Sequence, residues 1–203
     1  MSETTFPEDN SRGKYLNYFK ALYNRNKWLI LISTVILFAS VLIGYIYANA
    51  IDQLMNEFLG VMKGKFSKEG INTLSILLNN LQSALFIYVG GVIGIITAAI
   101  LFINGLLIGY VIAIFPLAPL YIIPHGIFEI PALILAGAAG FRITSMIFHM
   151  IKSLIKDKPV SDHFWEFKDS LVIFGISALL FLVAAIIEAN FTLGLGNYLR
   201  SFI

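Results

Sequence analysis

Long apolar runs separated by short charged stretches dominate this chain, and their lengths predict its elements. The first run, residues 28–50, is long enough to cross the ~30 Å hydrocarbon core of a bilayer as a helix. Trp28, Tyr45 and Tyr47 sit near its two ends, where aromatic rings suit the membrane interfaces. Residues 51–80 mix charged and apolar positions and predict a surface helix and loop. Residues 81–120 contain no charged side chain. As one straight helix they would measure roughly 60 Å, about twice the bilayer core, so two spans are predicted. The turn between them falls at Asn104-Gly105, a strong turn pair. The second span is then 80–103 and the third 106–123, with Pro116 and Pro119 kinking or unwinding its end. The fourth is 124–151, opened by Pro124 as a first-turn residue, and the fifth is 170–189. Between them, "IKDKPVSDHFWEFKDS" sets lysines beside Phe164, Trp165 and Phe167. That composition predicts an interfacial helix lying in the headgroups, with a docking site for a soluble partner as the other reading. The fold class is all-α: a polytopic helical membrane protein of about five transmembrane helices plus interfacial helices. A cytoplasmic segment, 1–27, precedes a single helical membrane domain, 28–203.

Charge fixes the expected orientation. With five spans and the N-terminus in the cytoplasm, Arg12, Lys14, Lys20, Arg25, Lys27, Arg142, Lys152, Lys156, Lys158 and Lys168 lie inside. Only Lys63, Lys65, Lys68 and Arg200 lie outside, so ten basic residues face four. Treating 81–120 as one span gives six inside and eight outside. The positive-inside rule therefore selects five spans, with the C-terminus outside and the plasma membrane as location.

Composition narrows the chemistry. Hydrophobic residues make up 58% and charged residues 13% of the 203 positions, about half the charge of a soluble domain. A net charge of +2 gives no reason to expect a nucleic-acid partner. The chain has no cysteine, which removes disulfides, zinc-thiolate sites and thiol catalysis. The polar start of the chain lacks the short apolar core of a cleaved signal peptide, and the 28–50 run reads as a membrane anchor. No HEXXH, GxSxG, P-loop or GxGxxG with a following acid is present. No catalytic residue, cofactor or metal site is assigned, and an enzyme is not expected.

Small residues recur every fourth position: Gly90, Gly94 and Ala98; Gly105, Gly109 and Ala113; Ala132, Ala136 and Gly140. Such rows let membrane helices approach closely. Gly105, Gly109, Ala136 and Gly140 are assigned to helix packing within the monomer, while a seam between copies in a homo-oligomer stays open. On the fourth span His125, Ala136 and Gly140 fall within roughly 40° of Glu129 at about 100° per residue. This face must turn toward protein, because lipid would satisfy neither ionisable group. Three readings of His125 and Glu129 compete. In the first they form a structural polar cluster with Asn80, or a neighbouring amide among Asn79 and Gln82, at the start of the second span. In the second they share a metal ion, but a second histidine at matching depth is missing: His149 lies about 36 Å along the same helix and His163 is cytoplasmic. In the third they belong to a proton or ion pathway. Asn104 and Arg142 are placed toward the cytoplasmic side, with Arg142 about 20 Å from Glu129.

Together these residues resemble the stage II sporulation protein M family. The resemblance rests on Asn79-Asn80, on Asn104-Gly105 with Gly109, on the Pro-His-Gly-x-x-Glu-x-Pro-Ala run from Pro124 to Ala132, and on Ala136 to Gly140. It covers 77–151 and implies an integral membrane protein of about five spans. For the family's namesake it implies a scaffold that recruits peptidoglycan hydrolases during septal wall remodelling. It implies no catalytic residues. The function read from the sequence is thus a non-enzymatic membrane scaffold, embedded in the lipid bilayer, that organises other membrane or envelope proteins. The rival is a permease or ion-conducting subunit using the Glu129 region. A sealed, satisfied interior around Glu129 favours the scaffold, and a continuous wet route favours transport.

Overall fold

The computed structural model describes residues 11–69, 73–115 and 118–192. These form α1 (Ser11–Ile46), α2 (Ala48–Glu69), α3 (Thr73–Val89), α4 (Ile95–Ile114), α5 (Ala118–Ile155) and α6 (Phe164–Ile187). Short 3₁₀ turns at Gly90–Val92 and Val160–His163 join α3 to α4 and α5 to α6, and a π-helical turn, Glu188–Thr192, follows α6. No strand occurs among the described residues. Five segments are long and apolar enough to cross a bilayer: Gly13–Ile46, Leu74–Val92, Ile95–Ile114, Gly126–Ile155 and Val160–Asn190. The all-α, five-span reading therefore holds, with α2 as the additional helix.

Several boundaries differ from the expected ones. The turn between the second and third spans lies at Gly90–Gly94, not at Asn104-Gly105. Gly94 takes φ +55°, a left-handed conformation that a residue without Cβ adopts at little cost. Asn104 instead sits inside α4, where its Nδ2 donates to the Ile100 carbonyl at 2.8 Å. Asn79 and Asn80 consequently occupy the middle of α3 rather than its start. Pro124 lies within α5, which begins at Ala118. The segment read as an interfacial helix is no separate helix. Its second half, from Phe164, is the first turns of α6, and two of its four carboxylates, Glu166 and Asp169, are buried in the protein.

The core joins all five spanning helices. Leu37, Ala84, Ile87, Leu101, Ala132, Leu133, Ala136 and Phe181 form one buried cluster. Half of the apolar stretch in Gly126–Ile155 is buried, against a third or less in the other four, so α5 is the central helix. The outward faces carry an apolar coat, including Leu31, Val35, Phe38 and Leu42 of α1 and Leu171, Leu179 and Val183 of α6. Lipid is the solvent that such a surface needs.

Small residues set the closest approaches. A Cβ on Gly105 would overlap Ser40 Oγ, and one on Gly109 would overlap the Val41 carbonyl, so α4 lies directly on α1. A Cβ on Gly91 would strike the Gly140 carbonyl, and one on Gly140 would lie 2.7 Å from the Ile87 carbonyl. Hydroxyls then tie the α3–α4 turn in place. Thr97 Oγ1 donates to Ile87 O and Thr144 Oγ1 to Gly91 O, each at 2.7 Å. Ile87 O belongs to the last turn of α3 and Gly91 O to the 3₁₀ turn after it, where regular helical bonding ends. Gly90 and Gly94 thus belong to the turn rather than to a packing ridge.

Candidate functional site

Polar side chains gather at two places separated by the core. The first lies where α1, α5 and the start of α6 meet. Asp169 Oδ1 and Oδ2 accept from Arg25 Nη2 and Nε, each at 2.7 Å, a two-pronged guanidinium–carboxylate pair. Asn26 Nδ2 adds a donor to Asp169 Oδ2 at 3.1 Å. One turn earlier on α6, Glu166 Oε2 lies 3.4 Å from Arg142 Nη1 and accepts from Ser145 Oγ at 3.3 Å. Arg142 Nη2 is 4.0 Å from Asp169 Oδ2. The Trp165 ring lies under both guanidiniums, with centroid distances of 5.6 Å to Arg25 and 4.6 Å to Arg142. Glu166, Asp169 and Arg142 are all buried. Two positive and two negative charges balance here, the condition under which buried ions are tolerated.

Two histidines extend this cluster. His149 Nδ1 lies 2.8 Å and His163 Nδ1 3.3 Å from Glu166 Oε1. His163 Nε2 lies 2.8 Å from Ser153 Oγ. The local fold explains the meeting. α5 ends in paired bonds, from Lys158 N to Ser153 O at 2.9 Å and from Asp157 N to Leu154 O at 3.3 Å, with Asp157 at φ 52°. This is a Schellman termination with Asp in the place glycine usually takes. It reverses the chain, and the 3₁₀ turn that follows returns His163 over the last turns of α5.

The second place is a cavity of about 510 Å³ bordered by Asn79, Asn80, Gln82, Ser83, Asn104 and Glu129. Phe58 and Phe86 also line it, and Leu133 and Phe181 belong at once to it and to the buried core. Ser83 Oγ donates to Asn104 Oδ1 at 3.2 Å, joining α3 to α4. Asn80 Nδ2 is buried and has no hydrogen-bond acceptor. Asn80 and Glu129 therefore border one space, while the side chain of His125 lies outside the described residues. Asn104, expected toward the cytoplasmic side with Arg142, instead shares the Glu129 cavity. This follows from the shifted turn, which moves Asn104 from the tip of a hairpin to the middle of α4.

The ionic cluster is the part that sequence reasoning missed. A signal existed: Arg142 is a lone cation inside a long apolar run and needs a counter-ion. Glu166 and Asp169, three apart, supply it from one face of α6. Reading their segment as a surface helix hid this pairing.

The family model of stage II sporulation protein M matches residues 33–193. Two uncharacterized proteins of Methanocaldococcus jannaschii are similar along nearly their whole length. One is 31% identical over 178 residues, covering 83% of this chain and 97% of its own. The other is 27% identical over 189 residues, covering 87% of each. No solved structure matches the chain.

Proposed function

The chain belongs to the stage II sporulation protein M family, and from that premise we propose that this multi-pass membrane protein is a non-enzymatic scaffold. It organises partner proteins of the membrane or envelope; in the family's namesake the resemblance implies wall hydrolases in that role. Its N-terminus lies in the cytoplasm and its C-terminus outside, in the plasma membrane. The Arg142 end is then cytoplasmic. One observation carries this reading. Against the Glu129 cavity packs one buried apolar cluster that includes Ile87, Leu101, Ala136 and Phe181, all 0% exposed. Close apolar packing of this kind supports a rigid structural core over a conduction path.

The second reading, a permease or ion-conducting subunit, has its own support. The cavity places a carboxylate and several amides at membrane depth, and intramembrane carboxylates commonly mark ion pathways. Reconstitution separates the two. The scaffold predicts vesicles with no proton, sodium or potassium leak above protein-free controls. It also predicts a reproducible set of membrane or envelope proteins crosslinked to the chain in native membranes. A cation flux that Glu129→Gln abolishes would replace the scaffold with the transport reading.

A further inference from the structure

His149, His163 and Glu166 serve neither the scaffold reading nor the core, and their geometry is that of a ligand set. One donor atom from each, two imidazole nitrogens and a carboxylate oxygen, lie within 4.8 Å of one another. They come from three successive elements: the end of α5, the 3₁₀ turn and the first turn of α6. We infer that they bind a divalent transition cation of the zinc class, which clips the end of α5 to the start of α6.

The geometry fits with small adjustments. Around an ion bound at about 2.0–2.2 Å, tetrahedral ligand atoms stand roughly 3.3–3.6 Å apart. The two imidazole nitrogens are 2.8 and 3.3 Å from Glu166 Oε1, and the rings are 5.5 Å apart between centroids. Outer partners are present as well. Ser153 Oγ holds the far nitrogen of His163, and Ser145 and Arg142 hold the other oxygen of Glu166. Such contacts fix ligand orientation in metal sites. The side chain of His149 is 43% exposed, so a fourth position faces solvent and takes water. Without an ion, both imidazoles can donate Nδ1–H to the single oxygen, which is a satisfied structural arrangement. Both rings nevertheless turn a nitrogen onto the same carboxylate oxygen, the convergence that a shared ion requires. The three groups are nitrogen and oxygen donors, which suit Zn²⁺, Co²⁺ or Ni²⁺ over thiophilic Cu(I). The inference is independent of whether the protein is a scaffold or a transporter.

The full-length protein, purified in detergent, stripped with chelator and titrated with Co²⁺, tests the site. The expected result is one ion per chain, the intense visible absorption of low-symmetry four-coordinate cobalt, and displacement by Zn²⁺. His149→Ala changes a half-exposed side chain and should leave the elution profile unchanged. It should weaken Zn²⁺ binding by at least about tenfold. His125→Ala should bind as the parent does. A cobalt spectrum no different from that of the aqueous ion would overturn the site, whatever the variants do. So would binding that survives His149→Ala unchanged.

Discussion

At the Arg142 end, two buried carboxylates meet two guanidiniums, of which Arg25 reaches the surface; at the Glu129 end, a carboxylate shares a cavity with amides. Asp169 takes three donors, from Arg25 and Asn26. Arg142 Nε and Nη2 and Asn26 Oδ1 at that end, like Asn80 Nδ2 at the other, are buried without a hydrogen-bond partner. The first region joins helices distant in sequence, Arg25 and Asp169 being 144 positions apart. The second leaves about 510 Å³ between helices that are otherwise tightly packed. The difference is one of task. Opposite charges brought together from three helices fix an arrangement, and an open space bordered by amides and a carboxylate admits water or a ligand.

This contrast can be broken by mutation. Asp169→Leu leaves Arg25 and Arg142 without their shared counter-ion and should cost about 3–5 kcal/mol. Thermal unfolding in detergent would show it, and a melting curve like the parent's would mean that the pairs do not hold the fold. Gly140→Leu comes next. Its side chain must enter space occupied by the Ile87 carbonyl and Thr97, and overpacking of this kind costs about 1–3 kcal/mol. The same change at a lipid-facing residue such as Ile95, made Ile95→Leu, should be close to neutral. Glu129→Leu should cost on the order of 1–3 kcal/mol by stranding donors around the cavity, whereas Glu129→Gln keeps hydrogen-bonding capacity and should fold as the parent does. If Glu129→Gln destabilised as much as Asp169→Leu, the two regions would not differ in kind. The smallest effect is expected at the α5 terminus. Asp157→Gly removes a Cβ from a left-handed residue and should stabilise by no more than about 1 kcal/mol. A clear loss would show that the Asp157 side chain has a role of its own.

Orientation sharpens the comparison without changing stability. Because the chain has no cysteine, single cysteines report cleanly. Lys156→Cys, beside the ionic cluster, should react with an impermeant reagent only from the cytoplasmic side, and Lys65→Cys only from outside. The opposite pattern would place the cavity, not the cluster, toward the cytoplasm.

By itself the sequence determined the solvent and the element count. Apolar runs of bilayer length leave a chain one solution, because unpaired backbone groups cannot face hydrocarbon. The small residues of the fourth span were legible for the same reason, since Ala136 and Gly140 repeat at the helical period. The position of the α3–α4 turn was not legible. Asn104-Gly105 and Gly90 to Gly94 are both acceptable turn sequences, and only packing chose between them. Gly91 meets Gly140, and Gly105 meets Ser40, so moving the turn would lose both contacts. The partners of Arg142 were equally out of reach. Local pattern could say that a buried cation needs an anion, but Glu166 and Asp169 also suited a charged surface segment. Tertiary structure decided the matter, because the charge of Arg142 is compensated only where α6 begins beside α5 and Arg25 arrives on α1. The convergence of His149 with His163 follows from the same turn, and no spacing along the chain encodes it.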